Sequence, residues 1–336
     1  MLRAVSRPAE GEAPTTVHAS LGTAAVLGLE AVQMEVAPTT AYLMVGGRCA
    51  FDCAFCAQAR SSTAPADRLS RVTWPEYPLA EVLARLPSAY ARGAVRRACL
   101  QVTAGPGYAE AARHLARVLK ETSQVPLCVS IRAADLALFE ELLALGAERV
   151  TLALDAACEG VYSRVKGHDW ARVRELLLEA ARRYPGHVGT HLIAGLGETE
   201  ADLCARLQEL HDAGITIGLF AFTPVPGTAL AGEPPPSLAG YRRVQAAHYL
   251  ITRGHARASQ FAFSAEGQVV SYGMDTAALG ALLATGEAFQ TSGCPGCNRP
   301  YYNERPGGPL YNYPRPLRPD EAAAAVALVL GALRTG

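Results

Sequence analysis

The sequence predicts an α/β fold built on a parallel sheet, either a (β/α)8 barrel or an open doubly wound sheet. Short apolar or β-branched runs alternate with amphipathic Ala/Leu/Arg/Glu stretches along most of the 336 residues. The apolar runs are near-continuous, as in strands covered on both faces by crossover helices. Eight such units over roughly 250 residues match the size of a barrel.

Residues 1–40 read as an N-terminal lead-in, loose at first and helical from "SLGTAAVLGLEAVQ" at Ser20. Strands are expected at "AYLMVGG" from Ala41, "RRACLQVTAG" from Arg96, "VPLCVSIR" from Val125 and "AERVTLALD" from Ala147. "HVGTHLIAGLG" from His187, "TIGLFAFTPVPGT" from Thr216, "ARASQFAFS" from Ala256 and "GQVVSYG" from Gly267 continue the series. Helices fall between them, as in "DLALFEELLALG" from Asp135 and "WARVRELLLEAARRYPG" from Trp170. "AGEPPPSLAG" from Ala231 is a Pro-rich loop. This gives a lead-in at 1–40, an α/β body at 41–285 and a C-terminal segment at 286–336. That segment holds a C-x2-C pair, an irregular Pro/Gly tract and a terminal helix around "AAAAVALVLGAL" from Ala322.

Half the residues are hydrophobic, and 31 Lys and Arg balance 31 Asp and Glu. Bulk charge gives no reason to expect nucleic acid or membrane as a partner. No stretch approaches the roughly 20 apolar residues of a membrane span. The N-terminus lacks the apolar centre of a signal peptide, so a cytoplasmic location is expected. The nine cysteines are odd in number and clustered. They point to metal in a reducing compartment rather than to a disulfide framework.

Cys49, Cys53 and Cys56 follow the first expected strand directly, after Gly46-Gly47. In a barrel this is the C-terminal face, where active sites lie. Three thiolates at C-x3-C-x2-C can hold three corners of a 4Fe–4S cluster and leave one iron for a non-protein ligand. Zinc is the alternative, but it wants a fourth protein ligand or a His/carboxylate set, and the neighbouring sequence supplies neither. Cys294 and Cys297 enclose a Pro-Gly turn that aims both thiols at one metal. The pair needs further ligands, and Cys99 and Cys128 on the second and third strands are candidates. A structural zinc knuckle is the alternative for the pair, and plain core packing for the two strand cysteines. Cys158 and Cys204 lie on helical stretches and read as core.

The motif C-x3-C-aromatic-C, with Phe55 as the aromatic, resembles the signature of radical S-adenosylmethionine (SAM) enzymes. The likeness runs along most of the chain and is nearest the biotin-synthase branch. It implies a (β/α)8 TIM-type barrel with the C-terminal cysteine segment over its mouth. It implies that SAM chelates the open iron and is cleaved to methionine and a 5′-deoxyadenosyl radical, which abstracts hydrogen from unactivated carbon. It also implies the SAM contacts. Ile193, Gly195, Gly197 and Glu198 in "HLIAGLGET" cradle the adenosyl group, and Val225 in "FTPVPGTAL" faces the adenine. Asp155 holds the ribose hydroxyls and Arg174 the SAM carboxylate.

The chain departs from biotin synthase. The third auxiliary-cluster cysteine of that family would fall at Gly189, and its substrate-contacting asparagines at Thr151 and Ala153. The tail "CNRPYYNERPGGPLYNYPRP" from Cys297 instead resembles type II, two-component lipoyl synthases. Residues 1–48 contain no cysteine, unlike lipoyl synthases with an N-terminal C-x4-C-x5-C motif, and "RSS" at Arg60–Ser62 is treated as coincidence. The resemblance thus implies a sulfurtransferase of lipoate biosynthesis. It would add sulfur to an octanoyl chain on a carrier protein or peptide, from a sacrificial auxiliary iron–sulfur cluster on Cys294 and Cys297 with Cys99 and Cys128. Expected partners are that carrier, a second lipoyl synthase subunit and a reductant such as ferredoxin or flavodoxin. The stretch from Asn298 to Arg305 either closes the site, receives the carrier domain or packs on the barrel rim. A maturase or mutase with a structural or redox auxiliary cluster is the rival enzyme. A non-catalytic iron–sulfur or zinc scaffold is the rival of another class.

Overall fold

The computed structural model describes residues 13–304, 307–331 and 333. Arg305 and the first twelve residues of the lead-in lie outside them. The chain opens with β1 (Thr16–Ala19) and α1 (Leu21–Val26), whose N-cap Ser20 accepts from Thr23 N. Next come β2 (Thr40–Val45), the short strands β3 (Arg68–Leu69), β4 (Val72–Thr73) and β5 (Glu76–Pro78), and α2 (Leu79–Ala91). Strand and helix then alternate through β6 (Arg97–Val102), α3 (Tyr108–Thr122), β7 (Leu127–Ser130), α4 (Ala137–Ala144) and β8 (Arg149–Thr151). After α5 (Glu159–Val165) and α6 (Trp170–Arg183) follow β9 (Val188–Ala194), α7 (Glu200–Asp212), β10 (Thr216–Ala221) and α8 (Leu238–Thr252). β11 (Ala262–Phe263), β12 (Val269–Ser271), α9 (Thr276–Leu283) and α10 (Pro319–Leu330) complete the set.

The main sheet has the order β10-β9-β8-β7-β6-β2-β1-β5. β2 and β6 to β10 are parallel neighbours in chain order, while β1 and β5 add antiparallel strands beyond β2. The helices between the parallel strands bury one stripe each. In α3 that stripe is Ala112, Leu115, Ala116 and Leu119, at the i, i+3, i+4, i+7 spacing of a helix face. The main hydrophobic cluster runs from Val17 to Val329, and a small second one, Ala57, Ala64 and Val225, lies by the loop after β2.

The α/β barrel-type architecture is present, with six parallel strands in the main sheet. The last two expected strands form a separate antiparallel ribbon, β11 with β12. Only residues 264–268 connect them, and a parallel pair needs a crossover of a dozen or more residues.

β10 has a strand on one side only, and the C-terminal segment runs along its other side. Ser292 Oγ accepts from Leu219 N at 2.9 Å, and Asn303 Nδ2 donates to Ala221 O at 2.8 Å. The same segment grips β2 and its approach. Asn298 Oδ1 accepts from Thr39 N at 2.9 Å, Thr39 Oγ1 donates to Gly296 O at 2.6 Å, and Tyr42 Oη accepts from Arg299 N at 3.0 Å. The Pro/Gly tract beyond it is held by buried polar groups of α8. Arg242 Nη1 and Gln245 Nε2 both donate to Tyr311 O, and Tyr241 Oη donates to Asn312 Oδ1.

Candidate active site

The turn after β2 is set by close backbone approach. Gly46 has φ +101°, and a Cβ there would lie 2.8 Å from Thr103 O, so only glycine permits the turn. The loop that follows is pinned to two neighbours and to itself. Ala50 N donates to Ala104 O, Ala54 N to Val165 O at the end of α5, and Cys49 N to Gln58 O. Gln58 is buried, and its Nε2 donates to Ala66 O and Arg68 O. Cys49, Cys53 and Cys56, with Phe55, thereby face one cavity of about 310 Å³. Burial pushes the Cys56 thiol up to about 12, and burial also raises Cys53, with Lys166 working against it. Such thiols stay protonated until a metal displaces the proton.

Asp155 lines the same cavity with a backbone φ of +66°, rare for a residue with a side chain. A parallel bridge to Leu192 holds it there, with Asp155 N donating to His191 O and Ile193 N to Asp155 O. Lys166 Nζ donates to Asp155 Oδ2 at 2.7 Å and to Ala153 O at 2.6 Å, and both side chains are buried. Burial opposes the Lys166 charge most strongly, but Asp155, Cys53 and Tyr162 together hold the lysine above its ordinary value.

Ile193 and Val225 line the cavity. Gly195, Gly197 and Glu198 stand behind that wall as a structural turn. Glu198 accepts from Gly195 N at 2.6 Å and Leu196 N at 3.1 Å, and burial raises its pKa. A Cβ at Gly195 would come within 2.7 Å of Pro236 Cδ, and one at Gly197 would meet the Arg164 guanidinium. Arg174 is not brought to the cavity. It pairs with Glu209 across α6 and α7, Nε to Oε2 at 3.2 Å, while its neighbours Val173 and Leu176 are the α6 residues that line the cavity. One residue along a helix is a turn of about 100°, enough to change the face presented. The cations that line the cavity, among the described residues, are Arg132, Lys166 and Arg299.

The second thiol group lies deeper. Cys99 and Cys128 are register partners on β6 and β7, and Cys294 Sγ is 3.9 Å from Cys128 Sγ. Cys297 Sγ is 3.1 Å from Tyr42 Oη, and Tyr42 is the register partner of Cys99 on β2. All four thiols line the cavity already described. Cys99 stands three residues before the end of β6, about 10 Å of strand below the first group. The pair is therefore not over the mouth. Arg97, the first residue of β6, donates to Pro295 O at 3.0 Å, which places the pair at the N-terminal side of the sheet. The segment then climbs β10 and reaches its C-terminal end at Asn303. Cys204 is fully buried on α7, as expected, and Cys158 is the N-cap residue of α5.

Among the described residues, no three His, Cys, Asp or Glu side chains are set around a single metal ion. The two thiol groups instead border one volume. An all-thiolate donor set is soft and fits iron–sulfur clusters. Cys49, Cys53 and Cys56 would hold one cluster, and Cys99, Cys128, Cys294 and Cys297 a second.

Several lining residues carried no motif. His191 is buried edge-on to Phe220, and burial lowers it to about 4, so it is neutral. The Arg299 guanidinium lies 3.9 Å over the Phe220 ring, and its Nη2 donates to Ser292 O. Lys166 had one faint signal. The chain has two lysines against 29 arginines, so a lysine here marks a place suited to a compact ammonium rather than a planar fork.

The radical SAM superfamily pattern matches residues 43–210, half of the chain. Biotin synthase from Magnetococcus marinus is 29% identical over 180 residues, 52% of this chain and 54% of that protein. Biotin synthase from Pelotomaculum thermopropionicum is 30% identical over 198 residues, 56% and 58% of the two chains. The chain thus spans little more than half the length of these curated relatives. Among solved structures, the FeFe-hydrogenase maturase HydG from Carboxydothermus hydrogenoformans superposes with a TM-score of 0.50 at 16% identity, over 64% of this chain and 52% of that one. A second HydG structure gives 0.51 at 16% identity, over 63% and 50%. At that identity the likeness is one of fold. The matched stretch holds the thiol loop at the end of β2, the Asp155–Lys166 pair and the wall around Ile193, and the chain belongs to the radical SAM superfamily.

Proposed function

We propose that this chain is a sulfur-inserting radical SAM enzyme, a lipoyl synthase component that adds sulfur to an octanoyl chain on a carrier protein or peptide. One observation carries the proposal. Seven thiols face a single cavity, three at the C-terminal end of the sheet and four toward its N-terminal end. When bound, the first cluster with SAM supplies a hydrogen-abstracting carbon radical, and the second cluster supplies sulfide to the carbon left behind.

The chain's own residues prepare that encounter. Asp155, held by Lys166, offers a carboxylate to the ribose hydroxyls. Ile193 and Val225 line the part of the cavity that the adenosyl group would take, and Val173 and Leu176 add apolar wall suited to an alkyl chain. His191 adds no charge to it. The C-terminal segment covers the free side of β10 and keeps water from the space between the thiol groups. Similarity to biotin synthases supports sulfur insertion. Gly189, Thr151 and Ala153 separate the chain from them, and the Cys294–Cys297 pair supplies the ligands that Gly189 does not. On this reading the reductant is a ferredoxin or flavodoxin, and a second lipoyl synthase subunit completes the reaction.

Anaerobic reconstitution with iron and sulfide counting, followed by mass spectrometry of an octanoyl-peptide, tests the proposal. Two clusters, thiolated product and loss of one cluster on turnover are expected. Cys294→Ala and Cys297→Ala should spare SAM cleavage and abolish thiolation. A single cluster that survives turnover would defeat the sulfur-donor assignment.

A further inference from the structure

Two buried arginines stand at the N-terminal ends of the strands that carry Cys99 and Thr151, beyond the residues that line the cavity. Arg97 opens β6 and Arg149 opens β8, and their exposures are only 3% and 8%. Residues two apart on a strand share a face, so Arg97 lies on the face of Cys99. Arg149 is the register partner of Cys128. Arg97 donates Nη1 to Pro295 O at 3.0 Å and Nη2 to Glu148 Oε1 at 3.2 Å. Arg149 donates Nη2 to Gly186 O at 3.0 Å, and its Nη1 is 3.7 Å from the same Glu148 oxygen.

Two guanidinium groups therefore share one carboxylate, itself 40% exposed. Arg97 Nε and Arg149 Nε and Nη1 are buried and have no hydrogen-bond partner among the described residues. Leaving such donors unmatched costs on the order of 1–3 kcal/mol each. Both stand beside thiol-bearing residues: Arg97 binds the carbonyl of Pro295, the neighbour of Cys294, and Arg149 is paired in register with Cys128. Arg149 also occupies space that a side chain at 189 would need. A Cβ on Gly189 would lie 2.7 Å from Thr151 Oγ1 and 3.2 Å from Arg149 Cδ.

We infer that Arg97 and Arg149 are positioning residues for the auxiliary iron–sulfur cluster, donating buried N–H groups to its cysteine sulfurs and offsetting its charge. This rests on the assignment of that cluster to Cys99, Cys128, Cys294 and Cys297. Four thiolates bring negative charge into a buried floor, where charge must be matched. Hydrogen bonds to cluster sulfurs raise the reduction potential, so losing them lowers it. At Gly189 itself, where the family's third barrel cysteine would stand, the space is taken by Arg149 and Thr151.

The test uses the full chain carrying Cys49→Ala, Cys53→Ala and Cys56→Ala, so that only the auxiliary cluster can form. Iron and sulfide are counted after anaerobic reconstitution. Iron release to a chelator and an EPR-monitored redox titration follow, with and without Arg149→Met or Arg149→Lys. Arg149→Met should release iron about 10-fold faster, the usual scale for a lost outer-shell partner, and move the midpoint to more negative potential. Arg149→Lys keeps the charge and should recover the midpoint in part. A midpoint and release rate unchanged in Arg149→Met would overturn the inference while leaving the cluster assignment standing. No iron in the triple variant would overturn both. If Arg149→Met does not fold, Arg149→Lys decides, and a release rate equal to that of the parent overturns the inference.

Discussion

Replacing Lys166 with Met keeps the length of the side chain and removes its charge. The structure sets the scale of the effect. Lys166 and Asp155 are 5% and 11% exposed at the side chain and 2.7 Å apart, so the variant leaves a buried carboxylate without its cation. Breaking a buried pair in this way costs about 3–5 kcal/mol. Asp155 also holds φ +66°, a conformation costing on the order of 1–3 kcal/mol that neighbours must sustain. Lys166→Met should therefore lose about 3–5 kcal/mol in anaerobic urea unfolding of the reduced apoprotein. Asp155→Asn/Lys166→Met should lose less than the two single changes together, by more than about 1 kcal/mol. Burial opposes the Lys166 charge, but Asp155 together with Cys53 and Tyr162 keeps the folded pKa above that of free lysine. The contribution is then complete at neutral pH and declines only as pH rises through the folded pKa in alkali. In the reconstituted protein, calorimetry should show SAM binding weakened in Lys166→Met, with incomplete recovery in Lys166→Arg, whose fork does not replace a compact ammonium. A loss below about 0.5 kcal/mol, or strict additivity in the double variant, would refute the claim that this pair holds the carboxylate in place.

Gly195→Ala places a Cβ 2.7 Å from Pro236 Cδ at φ +99°. It should cost about 2–3 kcal/mol in thermal unfolding and leave iron content unchanged; wild-type stability would show that the turn behind Ile193 has slack. His191 and His248 are both held near 4 by burial. Below the ordinary histidine value of about 6.5 the unfolded chain binds protons that these side chains in the fold refuse, so stability is lost as pH falls from about 6.5 to 4, by about 3 kcal/mol for each. His248→Leu should flatten that decline in urea unfolding measured across the window, and an unchanged slope would remove His248 as a source.

The cysteine groups were legible from residue type and spacing, which do not depend on tertiary context, and the structure brings seven of their thiols to one cavity. The parallel strands were legible from their apolar runs. β1 was not, since four residues with Val17 and Ala19 buried are too few to show a period. α1 stops at Val26, shorter than its apolar run, because Gly28 turns the chain at φ +71°. Arg174 illustrates a different limit. Likeness places a residue to within a position or so, and on a helix one position decides between the cavity and Glu209. Arg97 and Arg149 carry no sequence signal of their role, because an arginine opening a strand reads as ordinary surface charge until burial is known.

The distance between the two cysteine groups in the chain follows from the open side of the sheet. Six parallel strands leave β10 unpaired on one side, and an unpaired strand must be covered. The chain covers it with the segment that carries Cys294 and Cys297, held to β10 by Ser292 and Asn303 and to β2 by Thr39 and Tyr42. Tyr42 Oη touches both Cys297 Sγ and Arg299 N, so the contact that closes the sheet also positions a thiol. Cys99 and Cys128 come from the barrel wall and Cys294 and Cys297 from its closure. On the proposed function, a centre shared among them would assemble only when the segment is seated, which would tie completion of the second site to exclusion of water from the first.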